Sequence, residues 1–271
     1  LVLFSLITVG YSANALGGAG GPLAVLIIAI VAAELGKAVS KETKVDILVT
    51  PLVTIFAGVG LSMLIAAPIG AAASQVGTLI MWATEQAPLV MGILVSVIVG
   101  VALTLPISSA AICAALGLTG LAGGAAVAGC CAQMVGFAVM SYKENGVGGL
   151  VSQGLGTSML QMGNIIKNPR IWIAPTLASA ITGPLATCLF HFEMNGAAVS
   201  SGMGTCGLVG QIGVYTGWVN DIAAGTKAAI TPMDWAAMLL ICFVLPAVLS
   251  VVFCEIERKL GWIKEGDLKL N

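Results

Sequence analysis

Charged residues are scarce in this chain: Asp, Glu, Lys and Arg make up 8% of its 271 residues. A soluble globular domain carries about 25% charged residues, so the composition excludes that class. The net charge of −1 at pH 7 leaves no excess of basic residues with which to bind nucleic acid. With 58% hydrophobic residues and a mean hydropathy of +1.05, the sequence predicts a protein whose main partner is the lipid bilayer.

Metal-binding and cofactor-binding patterns are also lacking. The chain has one His and seven Cys, and no pair of Cys is spaced as CxxC. Such spacing does not fit a zinc or cluster site, and Cys inside an apolar run behaves as a small hydrophobe. Residues 202–207 match the dinucleotide pattern GxGxxG, but they follow no strand and lie in an apolar, glycine-stepped run. We therefore predict no metal, nucleotide or other cofactor.

Long apolar runs dominate what is present. Because a helix needs about 20 residues to cross a bilayer core, the runs predict an all-α, polytopic membrane protein of about 8–10 membrane segments. We expect one transporter-like domain over residues 1–271, with the natural chain beginning upstream, since residue 1 is a Leu inside an apolar run. The runs are 1–11, 22–39, 47–67, 88–105, 121–140, 171–192, 208–219 and 235–254. Two mixed segments, 75–86 and 148–166, predict helices at the interface or along a polar cavity.

An ungapped internal repeat relates residues 87–124 to residues 174–211. In each copy an apolar run is followed by a Gly- and Ser-rich break, 108–120 or 195–207, only about half a membrane thick. Broken helices at corresponding positions of two copies are typical of secondary transporters, because irregular backbone at membrane depth must be buried or line a cavity. We predict two broken or re-entrant helices that face each other across one cavity. The sequence leaves open whether the repeat is inverted, and chance similarity between Gly/Ala-rich helices is the alternative.

Glu193 opens the second break at the end of an apolar run, between His191 and Asn195. A carboxylate at membrane depth is costly and is therefore a functional candidate. Glu193 and Asn195 could accept hydrogen bonds from solute hydroxyls, and His191 could bind or pass a proton. The alternative is that Glu193 has no role in solute binding and only ends its helix at the level of the lipid headgroups.

Hydroxyl side chains gather at both breaks. They suit recognition of a neutral, hydroxyl-rich solute, and they equally suit hydrogen bonds to the backbone of a membrane helix. The candidates for solute binding are Ser108, Ser109, Ser200, Ser201 and Thr205.

Basic residues mark the loop that contains Lys37, Lys41 and Lys44, and also the C-terminal tail after residue 257. Both should be cytoplasmic, because cytoplasmic loops carry an excess of Lys and Arg. The loop with Lys143, Lys167 and Arg170 fits either side of the membrane, depending on whether the two broken helices count as crossings.

Residues 167–175, Lys-Asn-Pro-Arg-Ile-Trp-Ile-Ala-Pro, resemble the NPxIWIP segment that opens a late membrane helix in the IIC subunits of sugar phosphotransferase systems. Residues 154–213 resemble in particular an IIC-like branch described as perfringolysin-regulator-like. The resemblance implies a multi-pass protein of the bacterial plasma membrane that binds a small-molecule solute, forms a homodimer and works with a separate IIB protein. It adds Asn168 and Thr157 to the candidates for the solute site.

One departure from the family pattern concerns phosphorylation. The slot of the family's GINEP-like motif, which supplies a catalytic Glu, holds residues 154–158 here, so that Thr157 stands where the Glu should be. A Thr hydroxyl cannot act as a general base near neutral pH. We predict a carrier of a small polar solute, a sugar or sugar derivative, without the usual catalytic Glu. The alternatives are a membrane-embedded ligand sensor or regulator, and a true sugar-phosphorylating IIC subunit in which Glu193 replaces the missing Glu.

Overall fold

The structure is a computed structural model that describes residues 21–40 and 46–270. Within these ranges every regular element is helical, apart from an isolated antiparallel bridge between Gly120 and Met194. Short 3-10 and π-helical turns join or extend the α-helices. The α-helices are α1 Gly21–Val39, α2 Asp46–Gln86, α3 Pro88–Thr104, α4 Ser109–Leu116, α5 Gly120–Met140, α6 Tyr142–Val151, α7 Met162–Lys167, α8 Ile173–Pro184, α9 Ala198–Ser201, α10 Val209–Ala223, α11 Pro232–Leu239 and α12 Leu245–Lys259.

Four helical stretches in the described part of the chain are long and apolar enough to cross a membrane, and α3 is a shorter apolar helix. They confirm the predicted class, an all-α polytopic membrane protein. The stretches are Asp46–Gln86, Gly120–Met140, Pro169–Leu189 and Pro232–Lys259. The predicted run 1–11 lies outside the described residues, and the total of about 8–10 membrane segments stays a prediction.

The described residues divide into two compact units, one within residues 21–77 together with 114–116, and the other of residues 78–113 and 117–270. In the first unit, α1 packs on α2 through Ala24, Ile28 and Ala66. The predicted separation of 47–67 from 75–86 is absent, because α2 continues through both as one helix of 41 residues. The intervening segment, residues 68–74, contains Pro68 and Gly70, which disfavour a helix interior, and the helix nevertheless continues through both. Three Ala residues, the strongest helix formers, follow at 71–73.

In the second unit, α5 lies at the centre of a bundle with α3, α8 and α12, and it is almost wholly buried. Small residues make this possible, since they allow helix backbones to approach closely. A Cβ atom added at Gly129 would overlap the backbone carbonyl of Ser96 on α3. The packing of the bundle therefore depends on Gly at this position.

Both predicted interruptions are present. The chain leaves α3 at Thr104, forms the short α4 and re-enters a long helix at α5. It leaves the Pro169–Leu189 helix, forms the single turn α9 and re-enters α10, whose 15 residues are too few to span a bilayer core alone. By contrast, the helix predicted over 148–166 is divided among α6, two short turns and α7, in a segment that contains five Gly (148, 149, 154, 156 and 163).

The segment after α12 folds back against α6 and α7. Asn145 Nδ2 and Gln161 Nε2 both donate to the Leu268 carbonyl, at 2.8 and 3.0 Å. In return, the backbone N–H of Leu268 donates to Glu144 Oε2, and that of Leu270 donates to Asn145 Oδ1. The Leu268 side chain is fully buried. We call this end of the second unit, where α12 ends, the tail end.

Candidate functional site

Residues 190–195 connect the Pro169–Leu189 helix to the second break. Their side chains alternate: Phe192 and Met194 are buried in the core, whereas His191 and Glu193 are exposed and Asn195 is half-buried. This alternation of buried and exposed side chains leaves His191, Glu193 and Asn195 on the side away from the core. The segment is held by reciprocal backbone hydrogen bonds of 3.0 Å between Gly120 and Met194.

This face lines a cavity of about 440 Å³ at the end of the unit opposite the tail end. A volume of that size suits a small-molecule ligand. The other walls come from the end of α10, the following loop and the start of α11. The lining residues are Phe190, His191, Phe192, Glu193, Asn195, Trp218, Asp221, Thr226, Lys227, Asp234 and Ala237.

The Asn195 side chain joins two carboxylates across the cavity. Its Nδ2 donates to Glu193 Oε2 at 3.0 Å and to Asp221 Oδ2 at 2.9 Å. One neutral amide therefore uses both of its N–H groups to hold Glu193 and Asp221 in place. Each carboxylate keeps further acceptor capacity for a ligand.

A second pair of side chains completes the opposite wall. Lys227 Nζ contacts Asp234 Oδ1 at 2.7 Å and lies 5.5 Å from the centroid of the Trp218 ring. Asp234 is fixed by a capping box with Thr231 at the start of α11. The ammonium group is thus neutralised by Asp234, and the charges of Glu193 and Asp221 have no basic partner among the lining residues.

His191 has a left-handed backbone, with φ of 43°. This conformation is uncommon in residues other than Gly, and it persists only where the surrounding structure imposes it. Here the chain must turn from a π-helical turn, Leu185–Leu189, into residues 192–195, where Met194 pairs with Gly120. The turn presents the imidazole at the rim of the cavity.

Chemically, the cavity offers carboxylate acceptors, one ammonium donor and the aromatic side chains of Trp218 and Phe190. Among the described residues, no group of three or more His, Cys, Asp or Glu side chains is placed to hold a metal ion. The arrangement suits a ligand with several hydroxyl donors and an apolar face.

The sequence of this chain matches a family model over residues 3–270, the phosphotransferase system EIIC model. The chain belongs to the phosphotransferase system EIIC family. This confirms the resemblance to IIC subunits, whereas the perfringolysin-regulator-like branch stays a prediction. No curated protein and no solved structure matches the chain.

The structure brings three of the predicted site residues of this EIIC-family chain together, namely His191, Glu193 and Asn195. The hydroxyls at the breaks are engaged elsewhere. Ser109 Oγ donates to the Gly202 carbonyl and Ser201 Oγ to the Leu118 carbonyl, each at 2.7 Å, so that the two breaks contact each other directly. Three further hydroxyls were candidates. Ser108 Oγ accepts from the backbone N–H of Ala111, and Thr205 Oγ1 donates to the Gly154 carbonyl. Ser200 is buried beside Gly213.

Thr157 and Asn168, the candidates added by the family resemblance, lie away from this cavity. Thr157 Oγ1 accepts from the backbone N–H of Met159 and so caps a 3-10 turn. Asn168 Nδ2 donates to the Trp262 carbonyl and to Asp267 Oδ2, each at 2.9 Å. Asn168 also lines a second cavity, of about 450 Å³, at the tail end.

Sequence reasoning missed the far wall of the first cavity, formed by Trp218, Asp221, Lys227 and Asp234. A signal was available, because Asp221 lies two residues after the apolar run 208–219 and so is an ionisable group at a membrane boundary. The hydrogen bond between Asn195 and Asp221 could not be predicted, because the two residues lie 26 positions apart in the sequence.

Proposed function

We propose that this EIIC-family chain is a membrane carrier that binds a small, hydroxyl-rich solute, a sugar or sugar derivative, in the cavity beside residues 190–195. The observation that carries the proposal is the Asn195 amide bridging Glu193 and Asp221, which presents two acceptor groups at fixed positions next to Trp218. Carboxylates accept hydrogen bonds from hydroxyl groups, and an aromatic ring packs against the apolar face of a sugar ring.

The charge of the cavity supports an uncharged solute over an anionic one. Glu193 and Asp221 have no basic partner in the lining, so a sugar phosphate or sugar acid would meet like charges there. Repulsion of this kind discriminates between solutes that are otherwise alike in shape. The unphosphorylated form is therefore the proposed ligand.

The distribution of basic residues supports an external position for the cavity. Lys143 pairs with Glu255, and Arg170 lies over the Trp262 ring, which places the α6 and α8 starts at the tail end. Seven of the basic residues after residue 77 lie at that end and one, Lys227, lies beside the cavity; the seven are Lys143, Lys167, Arg170, Arg258, Lys259, Lys264 and Lys269. By the positive-inside rule the tail end is cytoplasmic, so the solute enters the cavity from outside.

In this proposal the solute is transported without being phosphorylated, because the position of the family's catalytic Glu holds no general base. Thr157 occupies that slot, and its hydroxyl serves as a helix cap. We further propose a homodimer and a separate IIB partner; both are supported by the family resemblance. A ligand sensor that keeps the same cavity differs from a carrier only in moving no solute across the membrane.

The test is thermal stabilisation of the purified protein against neutral sugars, sugar alcohols, sugar phosphates and sugar acids. A ligand at one hundred times its Kd stabilises by about 2.7 kcal/mol. We expect neutral hydroxyl-rich solutes to stabilise the protein and their phosphorylated or acidic counterparts to have no effect. Uptake of the same solute into proteoliposomes then separates a carrier from a sensor. Stabilisation by sugar phosphates alone would refute the proposal.

A further inference from the structure

The second cavity, of about 450 Å³, lies at the tail end, between the α7 region and the tail. It is similar in size to the external cavity and opposite in charge. Three carboxylates and one ammonium group line the external cavity, whereas two ammonium groups and one carboxylate line this one. The charged lining residues here are Lys167, Lys269 and Asp267. A negatively charged ligand, which the external cavity would repel, is therefore suited to the cavity at the tail end.

Hydrogen bonds between the two walls hold this cavity in shape. Asn164 Nδ2, on α7, donates to the carbonyl of Lys269 at 3.0 Å. Asn168 Nδ2 donates to Asp267 Oδ2 at 2.9 Å, and the backbone N–H of Lys264 donates to the same oxygen at 2.8 Å. The walls are thus joined in the protein without a ligand, which reduces the ordering that binding would cost.

The walls leave cationic donors and hydrogen-bond acceptors for a ligand. Among the described residues, the ammonium groups of Lys167 and Lys269 make no ion pair and no hydrogen bond. Asn164 is only 8% exposed, and its Oδ1 accepts no hydrogen bond from the described part of the chain. Asp267 Oδ1 likewise has no donor there. Ammonium groups bind phosphate, and amide and carboxylate oxygens accept from hydroxyls. A phosphate group that carries hydroxyls matches both.

The cavity lies at the level of the lipid headgroups. The apolar stretch Pro169–Leu189 begins directly after Asn168, and the stretch Pro232–Lys259 ends shortly before the tail wall. Trp262, whose carbonyl accepts from Asn168 Nδ2, is exposed, and the Arg170 guanidinium lies 5.5 Å from the centroid of its ring. Exposed Trp is typical of the boundary between membrane and water. The basic residues place this boundary on the cytoplasmic side, where anionic lipids attract Lys and Arg.

We propose that the tail-end cavity binds the headgroup of an anionic phospholipid of the cytoplasmic leaflet, a phosphodiester that carries hydroxyl groups, as in phosphatidylglycerol. Lys167 and Lys269 contact the phosphate, and Asn164 Oδ1 accepts a hydrogen bond from a headgroup hydroxyl. A soluble phosphate ester offers the same chemistry, but only the lipid is held at this level by its acyl chains, so the soluble ester binds far more weakly. The proposal is independent of the solute that the external cavity binds.

Titration of the detergent-purified protein with lipid, followed by native mass spectrometry, tests the ligand. The lipids are phosphatidylglycerol, phosphatidylcholine and phosphatidylmethanol, which has the same phosphodiester charge as phosphatidylglycerol and no headgroup hydroxyl. We expect phosphatidylglycerol to bind roughly tenfold or more tightly than phosphatidylcholine, with phosphatidylmethanol between them. Equal affinity for phosphatidylglycerol and phosphatidylmethanol would overturn the role given to Asn164. Glycerol 3-phosphate represents the soluble source, and binding as tight as that of phosphatidylglycerol would overturn the lipid as the ligand.

Three variants test the site. Lys167→Gln and Lys269→Gln each remove one charge from the cavity, and each should weaken phosphatidylglycerol binding roughly tenfold. Both side chains are exposed, so unfolding without lipid should be unchanged. Lys264→Gln is the matched control, because it removes the same charge from an exposed position of the tail outside the cavity lining. Wild-type affinity of the two cavity variants, or equal weakening in all three variants, would refute a specific site.

Discussion

Replacing Glu193 by Gln removes one negative charge from the external cavity and keeps the size of the side chain. Gln can still accept the hydrogen bond from Asn195 Nδ2, which joins Glu193 to Asp221 in the wild type. What is lost is the charge-assisted hydrogen bond from a carboxylate to a solute hydroxyl, worth about 1.5–3 kcal/mol. We therefore expect Kd for the solute to rise roughly 10- to 150-fold.

The stability of the protein should change little, because Glu193 is exposed, and exposed substitutions stay within about 0.5 kcal/mol. Isothermal titration of the purified variant measures Kd, and thermal unfolding without ligand measures stability. Glu265→Gln removes the same charge from an exposed position in the tail and should leave Kd unchanged. Wild-type affinity of Glu193→Gln would refute the assignment of Glu193 to the solute site.

Asp221 is the second carboxylate that accepts a hydrogen bond from Asn195. Asp221→Asn should weaken binding by a similar factor, because both carboxylates contact one amide and face one cavity. Residues that share a partner are not independent, so the double variant should lose less than the sum of the single losses. Strict additivity in the double-mutant cycle would mean that the two carboxylates act at separate sites.

Three further predictions concern packing and phosphotransfer. Gly129→Ala places a methyl group on the Ser96 carbonyl, and we expect it to lower the free energy of unfolding by about 1–3 kcal/mol or more. The control is Gly163→Ala, whose added Cβ has no atom within 4 Å and which should be neutral in the same unfolding assay. Leu268→Ala removes a fully buried side chain and should cost about 2–5 kcal/mol in unfolding measurements. Wild-type protein supplied with a phosphorylated IIB donor should yield no sugar phosphate, because Thr157 supplies no base. We expect sugar phosphate from the Thr157→Glu variant only. Sugar phosphate from the wild type would contradict the prediction.

The helical class and both interruptions followed from the sequence because apolar runs and Gly-rich breaks are local signals. Glu193, His191 and Asn195 were recognisable as a group because they alternate within five residues. The opposite wall of the cavity was not recognisable from the sequence, since Asp221 comes close to Asn195 only through the packing of α10. The continuity of α2 was also missed, because Pro68, Gly70 and the polar residues at 75–86 are local signals of a helix end, and the structure contains one helix through all of them.

The contacts of the tail determine which changes this segment tolerates. Its partners on α6 and α7 mostly bond to backbone atoms, namely the carbonyls of Leu268 and Lys269 and the N–H groups of Leu268 and Leu270. An exposed side chain at such a position, as at Lys269, is exchangeable without loss of the fold, whereas the buried Leu268 side chain is not. Pro is excluded at positions 268 and 270, because it has no N–H group to donate. An insertion between residues 264 and 268 would shift the register of every one of these bonds. The tail is thus restricted in length and backbone chemistry, and open to variation at exposed side chains such as Lys264 and Glu265.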